Sequence, residues 1–536
     1  MNIRSDSQFS HQARSTNLTR TEPDSYYFGY TSGRWLYNEQ QQLEKRHVEF
    51  NVPNLQKIAS RIVSSQCVQM TKLPEGLYNK VFSLRMDNGR EVLARIPNPN
   101  AGHPRYVVAS EVATLDFLRN VLDIPVPKVL SWSSPSRHNP VGVEYILMER
   151  VNGRQLSEVW DTMSEAERFG LVKSLVEIEK KLVSSSFAFH GSLYYKDTFP
   201  YGTSIAKSFE TERESMSSFV IGPTTQRSFW EDEKQELDID RGPWETAQEY
   251  LSAIANREMT CIRNLTHTGI NDITVPLGTT PQRRDMHLRL LEQFLTVLPH
   301  ILPPEETLRP VLLHHDLHGD NIFVDSEDPT KISSIIDWQA VHTAPLCMQA
   351  KFPSIFDCDD PYPWGAVQPK LPEGFDTLSQ TEKGLAQDRL DRLRLKKVYE
   401  LASRKFNPTH IQAMDTMRND DDPTSFIFHL IRRSSLDGPI PLQELLMQVY
   451  EKWDGIMERK GSAIPCPISF SNEEINKGRL QVEAWADAYG DFDALRENIV
   501  GDDGWVSIDE YKEAMHKWEN NRATLMELRE RVERLL

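Results

Sequence analysis

The stretch His314-His315-Asp316-Leu317-His318-Gly319-Asp320-Asn321-Ile322-Phe323, followed by Ile335-Ile336-Asp337-Trp338, decides how the rest of the chain is read. It places an Asp in a polar loop, an Asn five residues later, and a second Asp at the end of the next apolar run. Val311-Leu312-Leu313 leads into the loop and Ile322-Phe323-Val324 leaves it. Ile332 to Ile336 returns after the turn-forming stretch Asp325-Ser326-Glu327-Asp328-Pro329-Thr330. The last two apolar runs read as an antiparallel hairpin, which brings Asp337 back beside Asn321. One oxygen ligand from each suits Mg²⁺, an ion that prefers carboxylate, amide and water oxygens and usually completes its shell with substrate phosphates. Asp316 then stands across from the ion as a candidate base, with His314 as the loop's second catalytic candidate. This is the spacing of a phosphoryl-transfer site.

Two other readings stay open on these residues alone. Loops rich in His, Asp and Asn arise without any such role, and His314, His318 and Asp320 together suit a transition metal such as Zn or Fe if further ligands come from elsewhere.

A phosphoryl-transfer site makes demands upstream. Lys80 to Met86 alternates with Phe82, Leu84 and Met86 on one face, Asp87-Asn88-Gly89-Arg90 gives a turn, and Glu91 to Ile96 alternates again. On the second strand Val92, Ala94 and Ile96 share a face, which leaves Arg95 with Leu93 on the other. Ahead of the hairpin, Glu75-Gly76-Leu77-Tyr78-Asn79-Lys80 is the candidate phosphate loop, with Asn79 and Lys80 expected to touch phosphate from above. Between Pro104 and Pro125 the spacing turns helical, with Val108, Glu111, Leu115 and Leu118 on one stripe. A carboxylate on an apolar stripe is costly without a cation, and Arg95 is the obvious one. The competing reading places Glu111 in the first helical turn, where it complements the dipole. Glu144 to Gly153 reads as a buried strand entering a polar turn, the connector between two lobes. Backbone groups from Glu149 to Val151 would meet an adenine edge there, with Leu147 or Met148 lining the pocket.

With these segments in view the chain resembles the aminoglycoside phosphotransferase superfamily, whose signature His-x-Asp-x-x-x-x-Asn and strand ending in Ile-Asp-Trp are carried here by His314, Asp316, Asn321 and Asp337. It is also similar to the mostly fungal branch named for altered inheritance of mitochondria, protein nine. That likeness rests on Tyr30 to Glu39, Tyr78 to Phe82, Ala94 to Pro97, Phe219 to Pro223, Asp240 to Trp244 and Asp503 to Ser507. The resemblance implies an α+β, two-lobed protein-kinase-like fold, with a small antiparallel-sheet lobe and a large, mostly helical one. It implies ATP and Mg²⁺ as cofactors and a small molecule bearing a hydroxyl or amine as the acceptor. Two departures bear on catalysis. Arg95 stands where many of these kinases have Lys, and its planar fork meets phosphates with different geometry. His315 and Asp320 stand where small residues are common. The alternative is therefore a catalytically weak or inactive kinase-like protein, acting through nucleotide or partner binding in mitochondrial maintenance.

Composition sets outer bounds. The chain has 536 residues, 39% of them hydrophobic, enough for two lobes with insertions. Its 61 basic and 78 acidic residues give a net charge of −17, which argues against a nucleic-acid partner and allows a cationic substrate. Five cysteines, an odd number without a Cys-x-x-Cys pair, indicate a reducing compartment. No run approaches the length of a membrane-spanning helix. Oligomeric state has no readable signal.

Three regions are expected. Residues 1–29 are a disordered or transit segment: Arg4, Arg14 and Arg20 with Ser and Thr suit a mitochondrial transit peptide, and a disordered tail of a cytoplasmic protein would look alike. Residues 30–150 hold the small nucleotide-binding lobe. Residues 151–536 form the larger lobe, with an insertion near 190–285 packed on it and a C-terminal helical extension. Ser164 and Glu167 form a capping box for a helix with Leu171, Leu175, Ile178 and Leu182 inward, and Leu378 to Phe406 is a long charged helix. Trp518, Leu525, Leu528, Val532 and Leu535 have heptad-like spacing, expected to dock on the larger lobe, with pairing to another chain as the alternative. Gly501 to Glu510 fails as a calcium loop because its first position falls on Ile499, and a helix cap is expected instead.

Overall fold

The computed structural model describes residues 24–134, 139–199, 206–208, 217–264, 281–358, 360–418, 422–501 and 503–536. Five antiparallel strands build the small lobe, lying side by side in the order Cys67–Lys72, Asn79–Met86, Glu91–Pro97, Tyr145–Glu149 and Val129–Ser133. The expected hairpin sets Val81 opposite Arg95 and Lys80 opposite Ile96. Alternation then sorts the side chains. Phe82, Leu84, Met86, Val92, Ala94 and Ile96 fill one core with Leu55 and Ala59 of the helix Val52–Val63. On the opposite face Ile146 and Met148 meet Val108 and Val112 of the helix Tyr106–Asp116. Glu111 is the sixth residue of that helix, beyond its first turn, so the dipole reading does not apply.

The small lobe begins before the expected boundary at residue 29. A short helix, Asp24–Phe28, lays Tyr27 against Phe82 and Phe28 against Phe50. The Arg- and Ser-rich first twenty residues, on which the transit-peptide expectation falls, lie outside the described residues.

The larger lobe is helical, as expected. Ser164 and Glu167 close a capping box on the helix Glu165–Ser184, and Ser379 with Glu382 does the same for Gln380–Phe406. These two helices pack together, and the Tyr399 hydroxyl donates to the buried Glu179 carboxyl at 2.7 Å. Strands Ile322–Val324 and Ile332–Ile335 form the expected hairpin, with Ile322 opposite Ile335.

The region read as an insertion does more than rest on the larger lobe. Its strands Ser192–Tyr195, Phe219–Gly222 and Lys207–Ser208 form a small sheet. Tyr195 donates to Asp116 at 2.7 Å, Tyr194 meets Tyr106, and Phe219 meets Phe117. It therefore braces the Glu111 helix of the small lobe, while Gly191 bridges to Thr343 of the larger one. Residues 200–205, 209–216 and 265–280 of this region lie outside the described residues.

At the C-terminus the helices Asn472–Val500 and Tyr511–Leu535 pair around Trp485, Phe492, Trp518, Leu525 and Val532, and Ile440 joins them to the larger lobe. The docking expectation holds. The turn between them departs from a plain helix cap. Ser507 does accept the Glu510 N–H (3.3 Å), but Trp505–Val506 also pairs antiparallel with Arg34–Trp35. All five cysteines are free thiols, and no described helix is long and apolar enough to cross a membrane.

Candidate active site

Strand Pro310–Leu312, paired with Thr343–Pro345, delivers the loop that begins at His314. His314 is buried with its ring edge-on to Trp338, centroids 4.7 Å apart. Its Nδ1 accepts the Asp316 N–H at 3.1 Å and its Nε2 donates to the Ile336 carbonyl at 2.9 Å. Those two bonds fix a neutral tautomer, and burial holds its pKa below the ordinary histidine value. The expected catalytic place for His314 is thus corrected to a positioning one, since neither nitrogen is open to a reacting atom. The transition-metal reading falls with it. Asp320 takes the Ser157 hydroxyl, and among the described residues no group of three His, Cys, Asp or Glu side chains is placed to hold an ion.

The hairpin does what its sequence implied. Asn321 is buried, its side-chain amide donates to the Asp316 carbonyl at 2.9 Å, and its backbone carbonyl accepts from Ile336 at 2.9 Å. Asp337 comes next, at φ +62. That left-handed backbone costs a non-glycine residue about 1–3 kcal/mol and is characteristic of functional turns. The Asp316 and Asp337 side chains keep 44% and 43% of their surface exposed, enough for a ligand to reach them.

Arg95 joins the lobes across the cleft. One arm of its guanidinium holds Glu111 and the other donates to Asp337 Oδ1 at 2.7 Å. Burial lifts Glu111 to about 7 against the pull of Arg95. The surrounding protein partly desolvates Asp337, which tends to raise it despite its exposure, but Arg95, Arg227 and His314 outweigh that and hold the carboxyl below the usual range. For His318 burial is outweighed by Asp320, Asp316 and Asp337, so its pKa stands above the ordinary value.

Several expected contacts are not where the sequence reading put them. Lys80 is fully buried on the face opposite Arg95, with Nζ 3.5 Å from Glu75 and 3.2 Å from the Gly29 carbonyl. The reason is parity: Lys80 is two residues from Phe82 and shares its face. Leu147 likewise faces that core, leaving Met148 on the cleft side. Asn79 does reach the cleft, but its amide is engaged with Gln339, donating to Oε1 at 2.8 Å and accepting from Nε2 at 3.2 Å. The Glu149 N–H donates to the Lys128 carbonyl at 2.9 Å, so that group is not free for an adenine, which leaves Val151 beyond it.

Two further residues belong to the site. Arg227 lies with its guanidinium carbon 3.7 Å from the centre of the Tyr78 ring and donates to Gln339 at 3.4 Å. Gln339 follows Asp337-Trp338 directly, so a polar residue beside the loop was visible. Arg227 comes from a distant segment with no local motif.

Comparison with known proteins fits this geometry. The model of the phosphotransferase enzyme family matches residues 69–257 and 269–348. A subtelomeric hrmA-associated cluster protein of Aspergillus fumigatus is 32% identical over 496 residues, covering 86% of this chain and 93% of that protein. Altered inheritance of mitochondria protein 9 of Yarrowia lipolytica is 24% identical over 91% of this chain and 85% of its own length. Among solved structures, the ternary complex of streptomycin, ATP and APH(2")-IIa is 14% identical, covering 75% of this chain and 97% of that one at a TM-score of 0.33. The length of the family match, with the near full-length similarity to the Aspergillus protein, means that this chain belongs to the phosphotransferase enzyme family.

Proposed function

We propose that this chain transfers the terminal phosphoryl group of ATP to a hydroxyl or amine of a small molecule. The observation that carries the reading is the Arg95 bridge between Glu111 and Asp337, set across from Asp316 and Asn321 in one cleft. Arg95, oriented by Glu111, binds phosphate oxygens with its planar fork. The amide nitrogen of Asn321 is committed to the Asp316 carbonyl, which leaves its oxygen and the Asp337 carboxylate as a donor pair that fits Mg²⁺. Bound there, the ion neutralises charge on the nucleotide phosphates. Asp316, exposed and held by the His314 and Asn321 bonds to its backbone, accepts the proton of the attacking hydroxyl. The backbone near Val151 and the Met148 side chain receive the adenine.

A second reading is favoured by the same contacts. Asp337 is neutralised by Arg95, and Asn79 is tied to Gln339, so two ligand positions are closed in this conformation. That suits a kinase-like protein acting through nucleotide or partner binding. Its setting would be the mitochondrion, the location named for relatives in Yarrowia lipolytica and Saccharomyces cerevisiae. Otherwise it is the cytoplasm.

Calorimetry with full-length protein separates the two. Under the enzyme reading ATP binds in a Mg²⁺-dependent way and Asp337→Ala removes that dependence. Asp316→Asn leaves binding nearly intact and lowers turnover of a metabolite mixture with labelled ATP by about 10²-fold or more. If wild-type protein turns nothing over and Asp337→Ala changes nothing, the enzyme reading is wrong.

A further inference from the structure

We infer that Arg227 is a further catalytic residue, a guanidinium carried by the 190–285 region to the phosphoryl group in transfer. The inference rests on the proposed nucleotide site. It begins from how other buried and half-buried arginines are satisfied. Arg257 is held by Glu258, Ser228 and the Arg432 carbonyl, and Arg241 by the carbonyls of Phe229, Lys234, Leu237 and Ile239. Arg227 has nothing comparable. It makes one long bond to Gln339 (3.4 Å), its Nε is buried without a partner, and among the described residues it forms no ion pair. A half-buried cation left this way is costly unless an anion is to meet it.

Its position says which anion. The guanidinium lies over Tyr78 of the phosphate loop and reaches Gln339, two residues past Asp337. Its charge is felt at both Asp337 and Glu111, so it stands on the side of the cleft where the nucleotide phosphates would lie. The segment that carries it is rigid. The Thr225 N–H donates to Ser192 at 2.9 Å, and the Trp230 indole donates to the Thr224 carbonyl at 2.6 Å.

In the transfer, the bond from the acceptor oxygen to phosphorus forms as the bond from phosphorus to the β,γ-bridging oxygen breaks. The acceptor's proton passes to Asp316 and the nucleoside diphosphate leaves. During this exchange negative charge is spread over three equatorial oxygens, and Arg227 meets it with a planar fork that a lysine lacks.

The test needs no acceptor. Full-length wild type, Arg227→Ala and Arg227→Lys are compared for binding of Mg-ADP and of Mg-ADP with aluminium fluoride, which mimics the transferring phosphoryl group. Thermal melting confirms that each variant is folded, and the lysine variant keeps the charge if the alanine variant does not fold. Wild type is expected to bind the fluoride complex at least about a hundredfold more tightly than Mg-ADP. Both variants should lose that preference while keeping the Mg-ADP affinity close to that of wild type. Retention of the preference in the variants, or its absence in wild type, overturns the role of Arg227 and leaves the nucleotide site standing. No Mg-ADP or Mg-ATP binding by wild type overturns both.

Discussion

At the residue scale, Arg95 does something a lysine could not: one planar group holds two carboxylates from different lobes. Glu111 is 3% exposed, so removing Arg95 leaves a buried carboxyl without its ion-pair partner. Arg95→Met is therefore expected to cost about 3–5 kcal/mol, whereas Arg95→Met with Glu111→Leu recovers most of that loss, because a buried pair replaced by apolar groups is close to neutral. Urea unfolding of the two variants checks this, and a double variant no more stable than the single one would contradict it. This pair was legible in the sequence, from strand parity for Arg95 and from a lone carboxylate on an apolar stripe for Glu111. The same parity rule excludes Lys80 from the cleft, since it lies in step with Phe82, Leu84 and Met86. Arg227 was illegible for a different reason. Its place depends on contacts with Tyr78 and Gln339, each more than 100 residues away, and neither leaves a periodic trace.

At the scale of elements, Arg34–Trp35 and Trp505–Val506 meet as strands of two residues each, far too short to show a pattern. The Trp505 indole donates to the Tyr30 hydroxyl at 2.9 Å, and the Leu36 N–H donates to the Gly504 carbonyl at 2.9 Å. The same N-terminal stretch grips the loop Glu75 to Lys80. The Thr31 N–H donates to the Glu75 carboxylate at 2.8 Å, and the Glu75 N–H donates to the Ser32 hydroxyl at 2.7 Å. Residues 30–36 thus tie the C-terminal helical pair to the loop above the cleft. Gly33 makes this possible, because a Cβ there would lie 2.4 Å from the Trp505 ring. Gly33→Ala is expected to destabilise the protein by about 1–3 kcal/mol through overpacking. Protease cleavage between residues 24 and 46 should become faster, and an unchanged cleavage rate would show that the strap is not held by this contact. Capping boxes at Ser164 and Ser379 mark the opposite extreme, because four consecutive residues specify each of them.

At the scale of the molecule, buried titratable groups set a pH dependence with two sides. Burial drives His190 down to about 3, and His287, His342, His410 and His429 to about 4. For each the folded value lies below that of the unfolded chain, about 6.5. As pH falls below that value the unfolded state binds protons first, and stability is withdrawn progressively until the folded form itself titrates near pH 4. Three carboxyls act in the other direction. Burial lifts Glu144 and Glu179 to about 8, and Glu111 to about 7. Their contribution is fully present below the unfolded glutamate value and is lost as pH rises through 7 to 8. Burial also holds His103, His314 and His315 below the ordinary value, so the lowered histidines outnumber the three glutamates between pH 4.5 and 6.5 and the acid side falls despite the carboxyls. Above 6.5 the histidine contribution fades and the glutamates dominate. Melting temperature at fixed ionic strength should therefore peak near pH 6.5 and decline toward both pH 5 and pH 8.5. Glu179→Gln isolates one contributor, since an amide keeps the acceptor for the Tyr399 hydroxyl and cannot ionise. That variant should melt at a similar temperature to wild type at pH 5.5 and lose less on going to pH 8.5. Parallel alkaline declines in the two proteins would mean that Glu179 does not hold its proton through neutral pH.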